Sequence, residues 1–124
     1  MRAAMEAFNR RDTEEFGAAF AEDAEIVPVR AALEGTVFRG QDAAAEYCAA
    51  IDRSWEDLSW VVEDFRDGDG WVLAVGHIRG SGRGSGVAID ARAGWVARFR
   101  SGLIVNFHTY ADRDDALDAV GLPR

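Results

Sequence analysis

Residues 102–117 read GLIVNFHTYADRDDAL, and this stretch decides the fold class. Its first half is strand-like, and its second half predicts a helix, because Asp112 can cap the helix start and Gly121 can end it. Leu117 and Leu122 stand at the two positions whose contact accompanies a Schellman ending. The sequence therefore predicts a long strand followed by a short C-terminal helix.

Strand-like segments also precede this stretch. Turn signals separate them, among them Asp67-Gly68-Asp69-Gly70 and Ser101-Gly102. Turns of this kind connect β-hairpins, so the sheet is expected to be largely antiparallel. The predicted strands cover residues 58–66, 71–79, 87–100 and 103–111.

The first third of the chain predicts helices. Residues 2–11 have apolar side chains at helical spacing, and Asp12 followed by Glu15 forms a capping-box pattern that starts a second helix. A short strand is expected over 24–29, at a sheet edge or ended early because of its proline. A third helix is predicted after Gly40, from an apolar stripe at three- and four-residue steps. The stripe consists of Ala44, Tyr47, Cys48, Ile51 and Trp55.

Length and charge narrow the function classes. The 124 residues predict one domain, residues 1–124. With 22 acidic against 14 basic residues, the formal net charge is −8, which disfavours nucleic acid and anionic membrane as partners. The single cysteine, Cys48, excludes an intramolecular disulfide and is expected to be a packed core thiol. The N-terminus lacks the continuous apolar stretch of a signal peptide, so a cytoplasmic location is expected.

Three motifs carry a resemblance to a known family. Glu6-Ala7-Phe8-Asn9-Arg10-Arg11-Asp12 resembles the opening of SnoaL-like proteins. Phe38-Arg39-Gly40 resembles the motif that precedes a helix in those proteins, and residues 102–117 are similar to their C-terminal signature. Together the motifs span nearly the whole chain, and their order makes the resemblance specific.

The resemblance implies an α+β fold of a particular shape. That fold is a strongly bent antiparallel sheet wrapped around N-terminal helices, a cone-shaped α+β barrel with a short C-terminal helix, and it usually forms a homodimer. Its superfamily includes nuclear transport factor two, ketosteroid isomerase, scytalone dehydratase, limonene epoxide hydrolase and polyketide cyclases. Because such different functions share one fold, only the pocket can select among them.

Alternation along the last two strands predicts which side chains line that pocket. Alternate residues of a bent sheet face its concave side, and the odd-numbered positions from 91 to 109 are the more apolar set. We therefore expect an uncharged wall of small and aromatic residues that binds an apolar small-molecule ligand, such as a ring compound. The predicted pocket-lining residues are Tyr47, Trp60, Ile78, Ala91, Ala93, Trp95, Phe107 and Thr109.

The predicted wall contains no clear general acid or base. Matching the C-terminal signature to limonene epoxide hydrolase puts Thr109 where that enzyme has its catalytic aspartate, and a threonine cannot supply the carboxylate. The same alternation puts both histidines on the convex face, which many family members use for dimer packing. A β-bulge that reversed the register near Ala93-Gly94 or Gly76 would make His77 the candidate catalytic base. The predicted dimer face consists of His77, Asn106, His108 and Tyr110.

The sequence leaves three functions open. The first is a homodimeric small-molecule-binding domain without a cofactor or a metal, since two histidines without a third ligand make a poor metal site. The second is an isomerase, dehydratase or polyketide cyclase, whose base would be His77, Tyr47 or an acidic residue of the first long strand. The third is an assembly module whose interior is packed solid by Trp60, Trp95 and Phe107.

Overall fold

Four helices and one six-stranded mixed sheet form the part of the chain that the computed structural model describes, residues 1–29 and 36–123. The helices are α1 (Arg2–Asn9), α2 (Thr13–Ala18), α3 (Ala43–Ser54) and α4 (Arg113–Ala119). The strands are β1 (Phe20–Val27), β2 (Phe38–Arg39), β3 (Trp55–Asp67), β4 (Trp71–Gly82), β5 (Ala88–Arg100) and β6 (Leu103–Tyr110). Their order across the sheet is β2-β1-β6-β5-β4-β3. The predicted α+β class, with helices first and a short helix last, is confirmed.

One junction of the sheet is parallel, which differs from the antiparallel sheet expected. The strands from β3 to β6 run antiparallel to one another, as their hairpin turns predict, and β2 is antiparallel to β1. In contrast, β1 pairs parallel with β6, so that Ile26 lies opposite Phe107. No turn joins these two strands. Their relative direction is therefore set by tertiary packing and not by a local signal in the sequence.

Tight turns form the hairpins at the predicted positions. Ser101 and Gly102 connect β5 to β6 with φ angles of 52° and 82°. Positive φ at both central residues is the geometry of a two-residue type I′ turn, whose twist matches that of the strands. Between β3 and β4, the Gly68 N–H donates to the Trp71 carbonyl at 2.9 Å, and Gly70 has a φ of 77°.

Bulges bend the first long strand. The pairing of β3 with β4 shifts register between Glu56 and Ser59 and again between Val62 and Asp64. Asp57 lies inside the first shift with a φ of 53°, a left-handed conformation that aspartate tolerates better than most residues. Because a bulge adds a residue on one side of a ladder, it increases the local bend and twist of its strand.

A third bulge reverses the inward and outward positions at the start of β6, relative to the predicted alternation. The pairing of β5 with β6 shifts between Arg98 and Phe99, so that Phe99 lies opposite Ile104. Ile104 is consequently buried at 1% exposure, whereas Leu103 is 40% exposed. The expectation that Leu103 and Val105 face inward is wrong, because the bulge moves the inward position to the residue between them. Beyond the bulge, Phe107 and Thr109 are buried as alternation predicts.

The sheet has an apolar cluster on each face. The larger one lies between the concave face and helices α1 to α3, and the smaller one lies under α4, where Ala116 and Leu117 cover Leu73, Val75 and Val96. The concave cluster contains a group of aromatic rings, each with at most 3% exposure. These rings belong to Phe8, Phe16, Tyr47, Trp60, Trp95 and Phe107.

Both ends of α4 follow the predicted capping chemistry. Asp112 accepts from the Asp114 N–H at 2.8 Å at the start of α4. At its end, the Leu122 N–H donates to the Leu117 carbonyl at 3.0 Å and Gly121 has a φ of 74°, which confirms the Schellman ending. Within the described residues, no helix is both long and apolar enough to cross a membrane.

Two of the wrongly predicted boundaries lie at aromatic residues. Trp55 begins β3 and does not extend the third helix, because its backbone is extended (φ −134°, ψ 143°) and pairs with Gly82. The first strand starts at Phe20 rather than at residue 24. In both places an aromatic residue fits either helical or strand-like periodicity, and the pairing partner far along the chain decides.

Candidate ligand cavity at the open end of the sheet

An apolar cavity of about 230 Å³ lies at the end of the sheet where β6 stops, which we call the open end. Its walls come from the segment after β1, the first residue of β3, the middle of β4, the start of β5 and the residue after β6. One charged residue, Arg92, stands in this lining. The other lining residues are Val29, Trp55, Ile78, Ile89, Ala91 and Ala111.

The open end exists because β5 is longer than β6. The β6 strand ends at Tyr110, opposite Gly94, and the preceding residues 88–93 of β5 pair with β4 alone among the described strands. From Tyr110 the chain crosses β5 and enters α4 on the convex face. Gly94 permits this crossing, since a Cβ placed there would lie 2.5 Å from the Cβ of Ala116.

Aromatic rings fill the interior next to the cavity, with Trp60 at their centre. The Trp60 ring stacks on Phe8 with centroids 3.7 Å apart and on Phe107 at 5.6 Å, and it contacts Trp95 at 5.8 Å. Asn9 holds this segment in place, because its Nδ2 donates to the Trp60 carbonyl and its Oδ1 accepts from the Trp60 N–H, each at 2.8 Å. The region around Trp60 is packed by the protein's own side chains.

The predicted pocket-lining residues divide between these two regions. Ile78 and Ala91 line the cavity. The other six are buried in the concave half of the domain at 3% exposure or less, and their role toward a ligand stays a prediction. These six are Tyr47, Trp60, Ala93, Trp95, Phe107 and Thr109. Alternation identifies which side chains point inward, but it does not measure how much of the interior they fill.

Three buried polar atoms have no hydrogen-bond partner among the described residues. They are the indole Nε1 atoms of Trp55 and Trp95 and the hydroxyl Oγ1 of Thr109. Trp55 also lines the cavity. Buried polar groups are satisfied in most proteins, so unpaired ones mark positions where a polar atom of a ligand or of water is favourable.

No aspartate, glutamate or histidine lines the cavity within the described part of the chain. Tyr47 does not line the cavity, and burial raises the pKa of its phenol far above the usual value, so it stays protonated. Burial likewise raises the pKa of the Cys48 thiol to about 11, which makes it a poor nucleophile. Neither group is suited to proton abstraction at neutral pH.

His77 lies on the convex face in a cluster of charged side chains. Its Nδ1 is 3.0 Å from Asp90 Oδ1, and its Nε2 is 3.4 Å from Glu63 Oε1. The same aspartate accepts from Arg79 Nε at 3.1 Å. The imidazole is thus held between carboxylates on β3 and β5. It does not appear in the lining of the cavity.

The other residues of the predicted dimer face lie on β6. His108 and Tyr110 stack with centroids 4.0 Å apart, and Asn106 Nδ2 donates to Glu25 Oε1 at 3.3 Å. Burial lowers the pKa of His108, with Glu25 opposing that shift, and burial raises the pKa of Tyr110. All three are half-buried in the single chain, and their role at an interface stays a prediction.

Sequence reasoning missed five of the seven lining residues: Val29, Trp55, Ile89, Arg92 and Ala111. Ile89 shares the odd-numbered parity of Ala91, so the alternation argument could have found it. Helical spacing predicts Trp55 in the third helix. Arg92 is even-numbered, whereas the predicted inward positions are odd-numbered. Trp55 and Arg92 can be identified as lining residues only when the position at which β6 ends is known.

Solved structures with the same fold are similar to this chain at low sequence identity. A hypothetical protein with a ketosteroid isomerase-like fold from Catenulispora acidiphila has 20% identity, a TM-score of 0.79 and coverage of 98% of this chain and 92% of the other. TerC, crystallised with polyporic acid, has 16% identity, a TM-score of 0.77 and coverage of 96% and 93%. A Mycobacterium tuberculosis protein in complex with estradiol-17beta-hemisuccinate has 19% identity, a TM-score of 0.72 and coverage of 91% of each chain.

Identity at this level establishes the fold and not the activity. No curated protein matches the chain. A family model does, and it is the model of the SnoaL-like domain, aligned over residues 1–107. That alignment covers most of the chain and includes α1 to α3 and the sheet through the middle of β6. The protein therefore belongs to the SnoaL-like domain family.

Proposed function

We propose that this protein binds a small apolar molecule in the cavity at the open end of the sheet. The observation that carries the proposal is the lining, which is apolar except for Arg92. Ligand sites in proteins are typically concave and mostly apolar, with a few polar groups that fix orientation. An indole ring, that of Trp55, supplies a flat apolar surface suited to a ring compound.

The cavity volume limits the size of the ligand. At about 230 Å³ the cavity is smaller than the roughly 300–1,000 Å³ of common ligand pockets. An apolar cavity of about 150 Å³ is sufficient for benzene. We therefore infer a ligand with one or two fused rings, or a larger ligand of which one end enters.

Ligands in proteins of the same fold support a binding role. The Catenulispora protein was crystallised with trimethylamine, TerC with polyporic acid and the Mycobacterium protein with a steroid hemisuccinate. These compounds differ in size and charge. Their variety agrees with a fold whose interior is adapted by side-chain choice, so the lining of this chain is the better guide to its own ligand.

Naphthol is a suitable probe for the test, followed by NMR of the four tryptophan indole N–H groups. The Trp55 signal should shift on titration, since that ring lines the cavity. An Ala91→Trp variant should weaken binding on the order of tenfold or more by filling the cavity. Ala88→Trp is the matched control, because Ala88 is an exposed alanine of the same strand outside the lining.

The proposal fails if naphthol shifts none of the four indole signals at millimolar concentration. It also fails if Ala88→Trp and Ala91→Trp reduce binding equally, because binding would then not depend on the cavity. Circular dichroism of both variants verifies that the fold is intact.

The chemistry of the lining favours binding over acid–base catalysis. An isomerase, dehydratase or cyclase needs a titratable group within reach of the bound substrate, and His77 faces carboxylates on the other side of the sheet. An assembly role is consistent with the packed aromatic core around Trp60, but it does not account for the apolar cavity. The homodimer and the cytoplasmic location stay predictions, and light scattering tests the first of them.

A further inference from the structure

Arg92 stands at the boundary between two adjoining spaces. It lines the apolar cavity together with Ala111, and the same two residues line an open groove of about 570 Å³ on the solvent side. The groove also contains Asp112, Arg113 and Asp114. The register of β4 and β5 puts Arg92 opposite His77, so its side chain leaves β5 toward the convex face. Arg92 lines the cavity where β5 has no β6 neighbour, so a polar end that extended past this edge of the cavity would meet the Arg92 side chain.

Arg92 has no ion pair or hydrogen bond among the described residues. Most other described arginines have a partner, although the protein is acidic enough to offer one to each. Arg53 and Arg113 also lack one, but neither lines the cavity. The arginines with a carboxylate within 4.0 Å are Arg10, Arg11, Arg39, Arg66, Arg79, Arg83 and Arg100. Arg98 donates to a backbone carbonyl, and Arg2 lies over an aromatic ring.

The carboxylates of the groove do not substitute for a ligand at Arg92. Asp112 is occupied at the helix start, where its Oδ1 accepts from the Asp114 N–H at 2.8 Å. Neither Asp112 nor Asp114 is within 4.0 Å of any arginine among residues 1–29 and 36–123. Two aspartates and two arginines leave the groove without net charge, so what distinguishes Arg92 is its position at the rim of the apolar cavity.

We propose that the ligand is an amphipathic carboxylate whose ring enters the cavity while its carboxylate pairs with Arg92 at the rim. This inference rests on the proposed function and adds the chemical class of the ligand. A guanidinium group matches a carboxylate geometrically, because its planar N–H donors can form two parallel hydrogen bonds. The adjacent apolar wall excludes water from one side of that pair, which strengthens it.

The test uses naphthoate and its neutral isostere naphthamide as probes of the intact protein. Isothermal titration should show that the wild type binds naphthoate on the order of tenfold more tightly than naphthamide. Arg92→Gln should abolish this preference while keeping the affinity for naphthamide. Arg92→Glu should reverse the preference, since it places a negative charge at the rim. Arg53→Gln, which removes an arginine that also lacks a partner among the described residues but does not line the cavity, should behave like the wild type.

The outcomes separate this inference from the proposed function. Equal binding of both probes by the wild type, or a preference that survives in Arg92→Gln, overturns the carboxylate assignment and leaves a neutral apolar ligand. Binding of neither probe overturns the proposed function as well. A preference lost equally in Arg53→Gln reveals a general charge effect and also overturns the assignment.

Discussion

Trp95 on β5 and Thr109 on β6 lie directly opposite each other, and each has a buried polar atom without a hydrogen-bond partner among the described residues. The two side chains are 0% and 3% exposed. Leaving a buried donor or acceptor unsatisfied costs about 1–3 kcal/mol. This cross-strand pair is therefore a position where the concave core is less stable than a fully apolar core of the same shape.

Replacing Thr109 by valine should increase stability. The isosteric change removes the unsatisfied hydroxyl and keeps the shape, so the free energy of unfolding should rise by about 1 kcal/mol. The matched control, Thr109→Ser, keeps the hydroxyl and removes a buried methyl group, and it should lower stability by about 1 kcal/mol. Urea denaturation measures both. A valine variant less stable than the serine variant would contradict the assignment of Oγ1 as unsatisfied.

The close approach of Gly94 and Ala116 should appear as energetic coupling. A Gly94→Ala variant places its new Cβ 2.5 Å from that of Ala116, and overpacking of this kind costs about 1–3 kcal/mol. Ala116→Gly alone is also destabilising, by about 1 kcal/mol, because it puts glycine inside a helix. The double variant should be more stable than the sum of the two effects predicts, since the clash is absent. If urea denaturation gave strictly additive changes in the free energy of unfolding, α4 would not pack closely against Gly94.

His108 should make the protein less stable in mildly acidic solution. Burial lowers its folded-state pKa below the ordinary value of 6.5, so the unfolded chain binds the proton more tightly and protonation favours unfolding. The stability that the neutral imidazole allows is fully present above 6.5, and it is lost as the pH falls from that value through the lower folded-state pKa. Urea midpoints at about pH 7.5 and about pH 5.5 should differ less in His108→Gln than in the wild type. An unchanged difference would show that other groups cause the pH dependence.

Local chemistry explains why some features were predictable from the sequence. A cap such as Asp112 and a turn such as Ser101-Gly102 work through hydrogen bonds and φ angles within a few residues, so their outcome hardly depends on the rest of the chain. Alternation correctly placed Trp95 and Phe107 in the buried concave cluster for the same reason. The family resemblance then supplied the bent-sheet architecture that these local signals do not contain.

The candidate site was less predictable, because it depends on strand ends and on volume. Arg92 and Ala111 line the cavity only because β6 stops at Tyr110 and leaves part of β5 without a neighbour. The bulge opposite Phe99 reversed the expected orientation at Leu103. The residues near the end of β6 and near the bulge show no pattern that predicts either feature.

The sequence by itself determined most of the elements, the turns, the cap of α4, the family and the inward face of β6 beyond the bulge. Tertiary structure alone decided that β1 runs parallel to β6, that Trp55 begins a strand, and that aromatic rings pack the core while a cavity remains at the open end. The physical reason is the range of the interactions. Hydrogen bonds and backbone preferences act between neighbours in the chain, whereas the space left inside a bent sheet depends on every side chain that packs into it at once.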